Sequence, residues 1–470
     1  MSPVRLSILN ESERERIRSE ALALLADTGV VTADSRIREA FRKEGATVEP
    51  TDRVRLPAEL TTELLARTPS NHVCETIGGE RIEVGAGGQM VTSIVLDPVI
   101  LDYERGPRPP RLSDVAAHTR LGDALPLINA TYKMDQGLEG LTPLESNVRS
   151  LCEFLCNTTN HVSTSPADQT SLSIWLEMME VVLDGAGFAE RPIMGLGGHV
   201  KSPLLLPPHE CGIIIEAVAH SIPFRVGSCP MAGATSPFTL AGTLVLATAE
   251  TLFMACAVQA CGSSHPVLAR SSIFPFNMKS GNVSAGGIET SLLEAGYVEL
   301  MRDLGLPVGI TCTFNEPVAL GFQSGLETTA KCLSAVLIAP DILSGLGSVA
   351  NAAGVSAEKI LLDHDCLAMA RRFQEGVRVE DDTMAASAIR EAGAEGNFMG
   401  SDHTITYLRT GEHYYGGLFF REGARDRTMC EVAHEKTHEI LRSHVPKVPG
   451  ERQEALHRVA EKIEARLRGS

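Results

Sequence analysis

Basic clusters are what this chain lacks most plainly. No stripe of Lys and Arg stands out before the mixed-charge C-terminal stretch, and the formal net charge over 470 residues is −17. A phosphate-backbone partner needs a basic face, so nucleic-acid binding is disfavoured. No G-x-G-x-x-G follows a first strand and no P-loop signature occurs, which takes support from the nucleotide-binding versions of an open parallel sheet. The N-terminal MSPVRLSILNESERERIRSE has no apolar stretch of signal-peptide length, so a cytoplasmic protein is expected. The longest apolar run, 240–261, approaches the roughly 20 residues that span a bilayer. Glu250, Gln259 and several small residues interrupt it, and a buried helix is the better reading. No low-complexity tract argues for disorder. Metal-ligand spacings are thin too. Cys152-x3-Cys156 and Cys256-x4-Cys261 lie on helical apolar patterns, His364-Asp365-Cys366 stands alone, and His434-x3-His438 shares one helical face in a charged tail. None makes the two ligand pairs of a structural zinc site, so no bound metal is expected. Eleven cysteines, mostly on apolar patterns, fit reduced core thiols better than disulfides.

What is present is a rhythm. Residues 10–51 carry two amphipathic helical patterns, with Ile17, Ala21, Leu24 and Leu25 at helical spacing. The stretch HVCETIGGERIEVGAGGQMVTSIVLDPVILD alternates apolar and polar residues around Gly pairs and reads as a small β-meander outside the later repeat. From Leu125 strands alternate with helices. Strands are predicted at 127–134, 161–165, 192–196, 224–228, 267–270, 308–313 and 342–346, and a last one near Asn397. About eight such units predict an α/β fold, a closed (β/α)8 TIM-type barrel. The expected division is an N-terminal helical and β-meander extension (1–124), the barrel (125–425) and a charged helical arm (426–470), solvated or part of an interface.

One segment is distinctive in wording. PMAGATSPFTLAG at 230–242 resembles the "PLAGATAPVTLAG" of the trimethylamine methyltransferase family, including members that act on quaternary amines such as glycine betaine. VILDYERGPRPPRLSDVAAHTRLGDALPLIN (99–129), NVRSLCEFLCNTTNHV (147–162) and GNFMGSDHTITYLR (396–409) resemble other family segments in the expected order. The resemblance implies a (β/α)8 barrel that passes a methyl group to the cobalt of a separate corrinoid protein. No tightly bound cofactor is then expected, cobalamin arriving on the partner, and the chain has no Asp-x-His-x-x-Gly motif of its own; Asp363-His364-Asp365 has the wrong spacing. Trimethylamine members carry pyrrolysine after the sixth strand. Here ITCTFNEPVALGFQSGLE (310–327) holds ordinary residues throughout, which points to the betaine-type branch.

In a barrel, chemistry sits at the C-terminal strand ends. That rule selects Lys133, Asp135 and Gln136 after the first predicted strand, His199 after the third, Arg270, Phe274 and Phe276 after the fifth, and Phe314, Asn315, Glu316 and Gln323 after the sixth. His403 and Tyr407 join them by resemblance. A quaternary nitrogen leaves as a neutral amine and needs no proton, so positioning rather than acid–base catalysis is the demand, and no catalytic residue is assigned. Phe274, Phe276, Phe314 and Tyr407 suit the cation; Arg270, Lys133 and His403 suit a substrate carboxylate. The plainer readings stand beside these: phenylalanines at strand ends pack cores, Arg270 ending HPVLAR pairs with Glu289 or Glu294, and His403 bridges a loop. The expected function is a methyltransferase moving a methyl group from glycine betaine, giving dimethylglycine. Proline betaine, carnitine or choline is the runner-up donor, and a non-catalytic onium-binding barrel the rival. A homo-oligomer is expected because the 240–259 helix is apolar nearly all round and something must cover it.

Overall fold

A computed structural model describes residues 4–70, 72–263, 265–414, 417–418 and 427–468. Its centre is a barrel of eight parallel strands: β1 (Met90–Ile94), β2 (Ala130–Tyr132), β3 (His161–Thr164), β4 (Met194–Val200), β5 (Phe224–Ser228), β6 (Val267–Ser271), β7 (Val308–Thr311) and β8 (Ile342–Leu346). Each pairs in parallel with the next, and β8 closes on β1 through Ile342 opposite Met90 and Leu343 opposite Val91.

The closing strand is not the one expected. MVTSI at Met90–Ile94 was expected in the outlying meander, but all five residues are buried, as a strand between lumen and helices must be. Flanking Gly pairs and the polar Thr92 and Ser93 disguise it as a half-exposed strand. Near Asn397 there is only turn and irregular backbone, exposed over residues 393–400. The predicted boundary at 425 lies outside the described residues.

A hairpin ahead of β1, His72–Glu75 with Arg81–Val84, plugs the N-terminal end of the barrel. Its Cys74, Ile82 and Val84 cluster with Met90, Ala130, Leu268 and Ile342, forming an apolar floor. The lumen therefore opens toward the C-terminal strand ends.

The N-terminal extension explains the apolar helix. Helix Glu11–Asp27 starts at a reciprocal Asn10–Glu13 cap and buries Ile17, Ala21 and Leu25 along one stripe. It packs on helix Leu240–Ala260 together with helices Ser35–Lys43 and Ala58–Ala66. Phe41 meets Phe253 with ring centres 5.0 Å apart. Leu240–Ala260 is thus a core helix covered by the chain's own extension, and its all-round apolarity does not call for a second subunit.

Beyond the short helices Asp381–Met384, Ala386–Ala392 and Asp402–Tyr407 come two longer ones, Met429–Ser443 and Gly450–Arg468. The second is a strap rather than a solvated arm. It buries Leu456, Ala460 and Ile463 against helices Pro143–Cys156 and Gln169–Leu183, and Arg149 pairs with Glu464 at 2.7 Å.

Candidate functional site

Register shows which face of the sheet looks inward. Gly197, Arg225 and Leu268 lie side by side across β4, β5 and β6, and two residues on His199, Gly227 and Arg270 do the same. Leu268 belongs to the barrel floor. Alternation along a strand then places all six on the lumen face.

Two guanidiniums converge there. Arg225 is 6% exposed, and its Cζ lies 5.4 Å from the centre of the Tyr132 ring, with that of Arg270 at 5.2 Å. Nε and Nη2 of Arg225 and Nη1 of Arg270 are buried without a hydrogen-bond partner among the described residues. Neither alternative for Arg270 holds: Glu294 is engaged by Lys331 at 3.1 Å, and Glu289 is exposed. Burial, and then Arg270, hold the Arg225 pKa down at about 10. Burial followed by the two arginines pushes His199 down to about 3, so its ring is neutral, and its Nε2 is also buried and unpartnered. Buried charges without partners are costly, and such groups converging in one lumen mark a receptacle for an anion.

Glycines make the room. A Cβ at Gly197 would stand 3.5 Å from Nε of Arg225, and one at Gly227 only 2.7 Å from the Arg270 carbonyl oxygen. Glu250 braces the loop after β4, accepting from Ser202 at 2.6 Å and from the Leu204 amide at 2.9 Å. Desolvation raises Glu250, and likewise Glu210 beside His199, to about 7.

Beyond β6 and β7 the character reverses. Phe274 opens a short strand, Phe274–Asn277, and stacks on Phe314 with ring centres 6.3 Å apart and planes at 19°. Phe314 is held against Gly345, where a Cβ would come within 2.6 Å of the ring. Phe276, half-buried, shares the Phe274 side of its strand. The loop after β7 and the start of the helix that follows it, Phe322–Ile338, add carboxylates. Glu327 accepts from the Glu316 amide at 2.8 Å and from Gln323 at 2.7 Å, while Glu316 accepts from the Ser284 hydroxyl. Asn315 donates to Ser324 at 2.6 Å and keeps a buried Oδ1 unpartnered.

The expected residues divide on this frame. Arg270 and His199 share the lumen face, and beyond it lie Phe274 and Phe276 on their short strand, Phe314, Asn315 and Glu316 in the loop after β7, and Gln323, exposed, in the first turn of the next helix. Lys133 is turned the other way. Its neighbour Tyr132 takes the inward position, so the Lys133 ammonium lies 5.7 Å from the Trp175 ring in the helix layer and 3.6 Å from Asp135, its pKa lowered by burial. Asp135 accepts from Ser171 and from the Ala167 amide, and Gln136 follows it half-buried. His403 and Tyr407 lie with ring centres 4.6 Å apart and planes tilted by 34° on a short helix with no buried residue, where Tyr407 donates to Asp382 and Arg378 lies over its ring at 5.7 Å. None of these contacts involves the arginine cluster. Sequence reading missed Arg225 and Tyr132. The signal for Arg225 was present: an arginine inside the apolar strand FRVGS has no reason to be there unless something needs it.

A floor-plugged parallel barrel with an anion receptacle in its lumen and aromatic rings at its mouth defines a TIM-type barrel enzyme. The model of the trimethylamine methyltransferase family matches residues 2–467, and the chain belongs to that family and is a methyltransferase. A trimethylamine methyltransferase from Desulfitobacterium hafniense is 27% identical over 459 residues, covering 94% of this chain and 90% of that protein. A glycine betaine methyltransferase from the same species is 25% identical over 473 residues, covering 94% and 93%. The solved monomethylamine methyltransferase of Methanosarcina barkeri is 12% identical, with a TM-score of 0.49 over 93% of this chain and 95% of that one.

Proposed function

We propose that the protein takes a methyl group from a small carboxylated quaternary amine, glycine betaine first, and passes it to a corrinoid carried by a separate protein, leaving dimethylglycine. The carrying observation is the unpartnered pair Arg225 and Arg270 beside neutral His199. Trimethylamine has no group for two guanidiniums that keep buried, unpartnered nitrogens, whereas a betaine carboxylate can pair with them. The loop after β7 supports the same reading, since its residues are all ordinary where trimethylamine enzymes carry pyrrolysine.

The site is dipolar, as a betaine is. The carboxylate goes down to the arginines, and the trimethylammonium group goes up to Phe274, Phe314 and the carboxylates of Glu316 and Glu327. Each ring contact contributes about 0.5–2 kcal/mol to holding the cation. A reduced corrinoid on the docked partner would supply the nucleophilic electron pair. As the C–N bond breaks, nitrogen keeps the bonding pair and leaves as a neutral tertiary amine, so the chain needs to hold and aim the donor and to exclude water. Exposed Phe238 and Met278, in the loops after β5 and β6, and Phe322, opening the helix after β7, offer the apolar surface for that partner. A homo-oligomer is also proposed, now on the exposed apolar side chains of the outlying segment, among them Val377, Met399 and Ile405.

The test is methylation of reduced cobalamin by purified protein, followed by absorbance, with glycine betaine, proline betaine, carnitine, choline and trimethylamine offered separately. Glycine betaine should react and trimethylamine should not. Activity on trimethylamine alone would overturn the reading. Binding of glycine betaine with no transfer to any acceptor would favour the non-catalytic barrel.

A further inference from the structure

Three potential ligands meet where the C-terminal strap crosses the barrel. Cys152 and Cys156 are one turn apart on helix Pro143–Cys156, and His457 faces them from helix Gly450–Arg468; one ligand atom from each lies within 4.8 Å of the others. Helical spacing alone explained the two cysteines as core residues, but it does not bring a histidine from a different helix onto them. The two thiols are 4% and 8% exposed, whereas His457 is exposed, so the cluster is half sunk with one open side.

The surroundings favour a cation. Nδ1 of His457 lies 2.7 Å from the Gln453 carbonyl oxygen. With the proton on that nitrogen, Nε2 keeps its lone pair, the arrangement a metal-bound histidine ordinarily has.

We propose that Cys152, Cys156 and His457 bind a thiophilic divalent cation of the Zn2+ class, clamping the strap to the barrel. Two thiols each release a proton to solvent on binding. The two thiolates then cancel the charge of the ion, so a neutral site is left at the half-buried seam. Water completes a tetrahedral shell from the open side. The site is remote from the lumen residues and rests on none of the reasoning about substrate.

Co2+ is the probe. Full-length protein, stripped with chelator and titrated with Co2+, should bind one ion per chain with tetrahedral d–d bands and a thiolate-to-cobalt charge-transfer band. Zn2+ should bleach both. Cys152→Ser should remove the charge-transfer intensity in part, and His457→Ala should weaken binding by more than the roughly 100-fold that an outer partner commands. Cys74→Ser, at the barrel floor, should change nothing. No thiolate band in the wild type, or a band whose intensity is unchanged by Cys152→Ser and whose titration midpoint is unchanged by His457→Ala, would overturn the proposal. If a variant fails to fold, alkylation of the wild-type protein decides. Zn2+ should protect Cys152 and Cys156 in mass-spectrometric mapping and chelator should release them; equal labelling with and without Zn2+ would refute the site.

Discussion

Replacing Arg270 with Met separates an anion receptacle from a structural ion pair by the signs of two effects. Both guanidinium carbons lie within 5.4 Å of one ring centre, so they are no more than about 11 Å apart. At an effective dielectric of about 20, their repulsion is at least about 1.5 kcal/mol. No carboxylate among the recorded partners offsets it. Met keeps the apolar stem and a favourable contact with the Tyr132 ring, so Arg270→Met should make the ligand-free protein more stable, by roughly 1 kcal/mol after the lost cation–π contact is deducted. The ligand response should go the other way. Loss of a charge-assisted hydrogen bond of about 1.5–3 kcal/mol weakens glycine betaine by about 10- to 150-fold, while choline, which carries the same onium group and no carboxylate, should change little. Thermal unfolding of wild type and variant, alone and with each ligand, together with calorimetric titration, reads both signs. A variant that is less stable without ligand, or equal losses for glycine betaine and choline, would refute the reasoning and return Arg270 to a structural role.

Two further outcomes test the rest of the site. Phe314→Leu should weaken glycine betaine and choline alike, by about 2- to 30-fold, since the lost ring contact belongs to the onium group both share; calorimetry would expose a loss confined to one ligand. Glu250 is held at about 7 when folded against 4.5 as its ordinary value. Its folded pKa is the raised one, so its contribution is full below about pH 4.5 and is lost as pH rises through 7. Glu250→Gln should remove up to about 3 kcal/mol of that decline, seen as a flatter plot of urea midpoint against pH between 5 and 8; an unchanged slope would reassign the decline to other groups.

Much of the fold was legible in the chain because βα units are local. Seven strands could be read from short apolar runs between helical patterns, and PMAGATSPFTLAG carried the family resemblance. Arg270, His199 and the Phe274 and Phe314 pair followed from a positional rule, since barrel chemistry gathers at the C-terminal strand ends. Closure was a different matter. Which segment pairs with β8 depends on contacts between residues some 250 positions apart, and a strand buried on both faces does not declare its partner; Met90–Ile94 could be placed only by its register with Ile342 and Thr131.

The sequence by itself determined the architecture class, the family and the set of side chains available for a cation and a carboxylate. Only the tertiary structure decided which of them meet. Strand pleat turned Tyr132 inward and Lys133 outward, although the two are adjacent in sequence. Barrel closure brought Arg225 and Arg270, 45 residues apart by numbering, onto one aromatic ring. Packing of the N-terminal helices covered the apolar Leu240–Ala260 helix within the chain itself, and the crossing of the strap set His457 over Cys152 and Cys156. Local propensity governs which segments become strands and helices; the side chains that share a space are fixed by long-range pairing and packing, which no local pattern encodes.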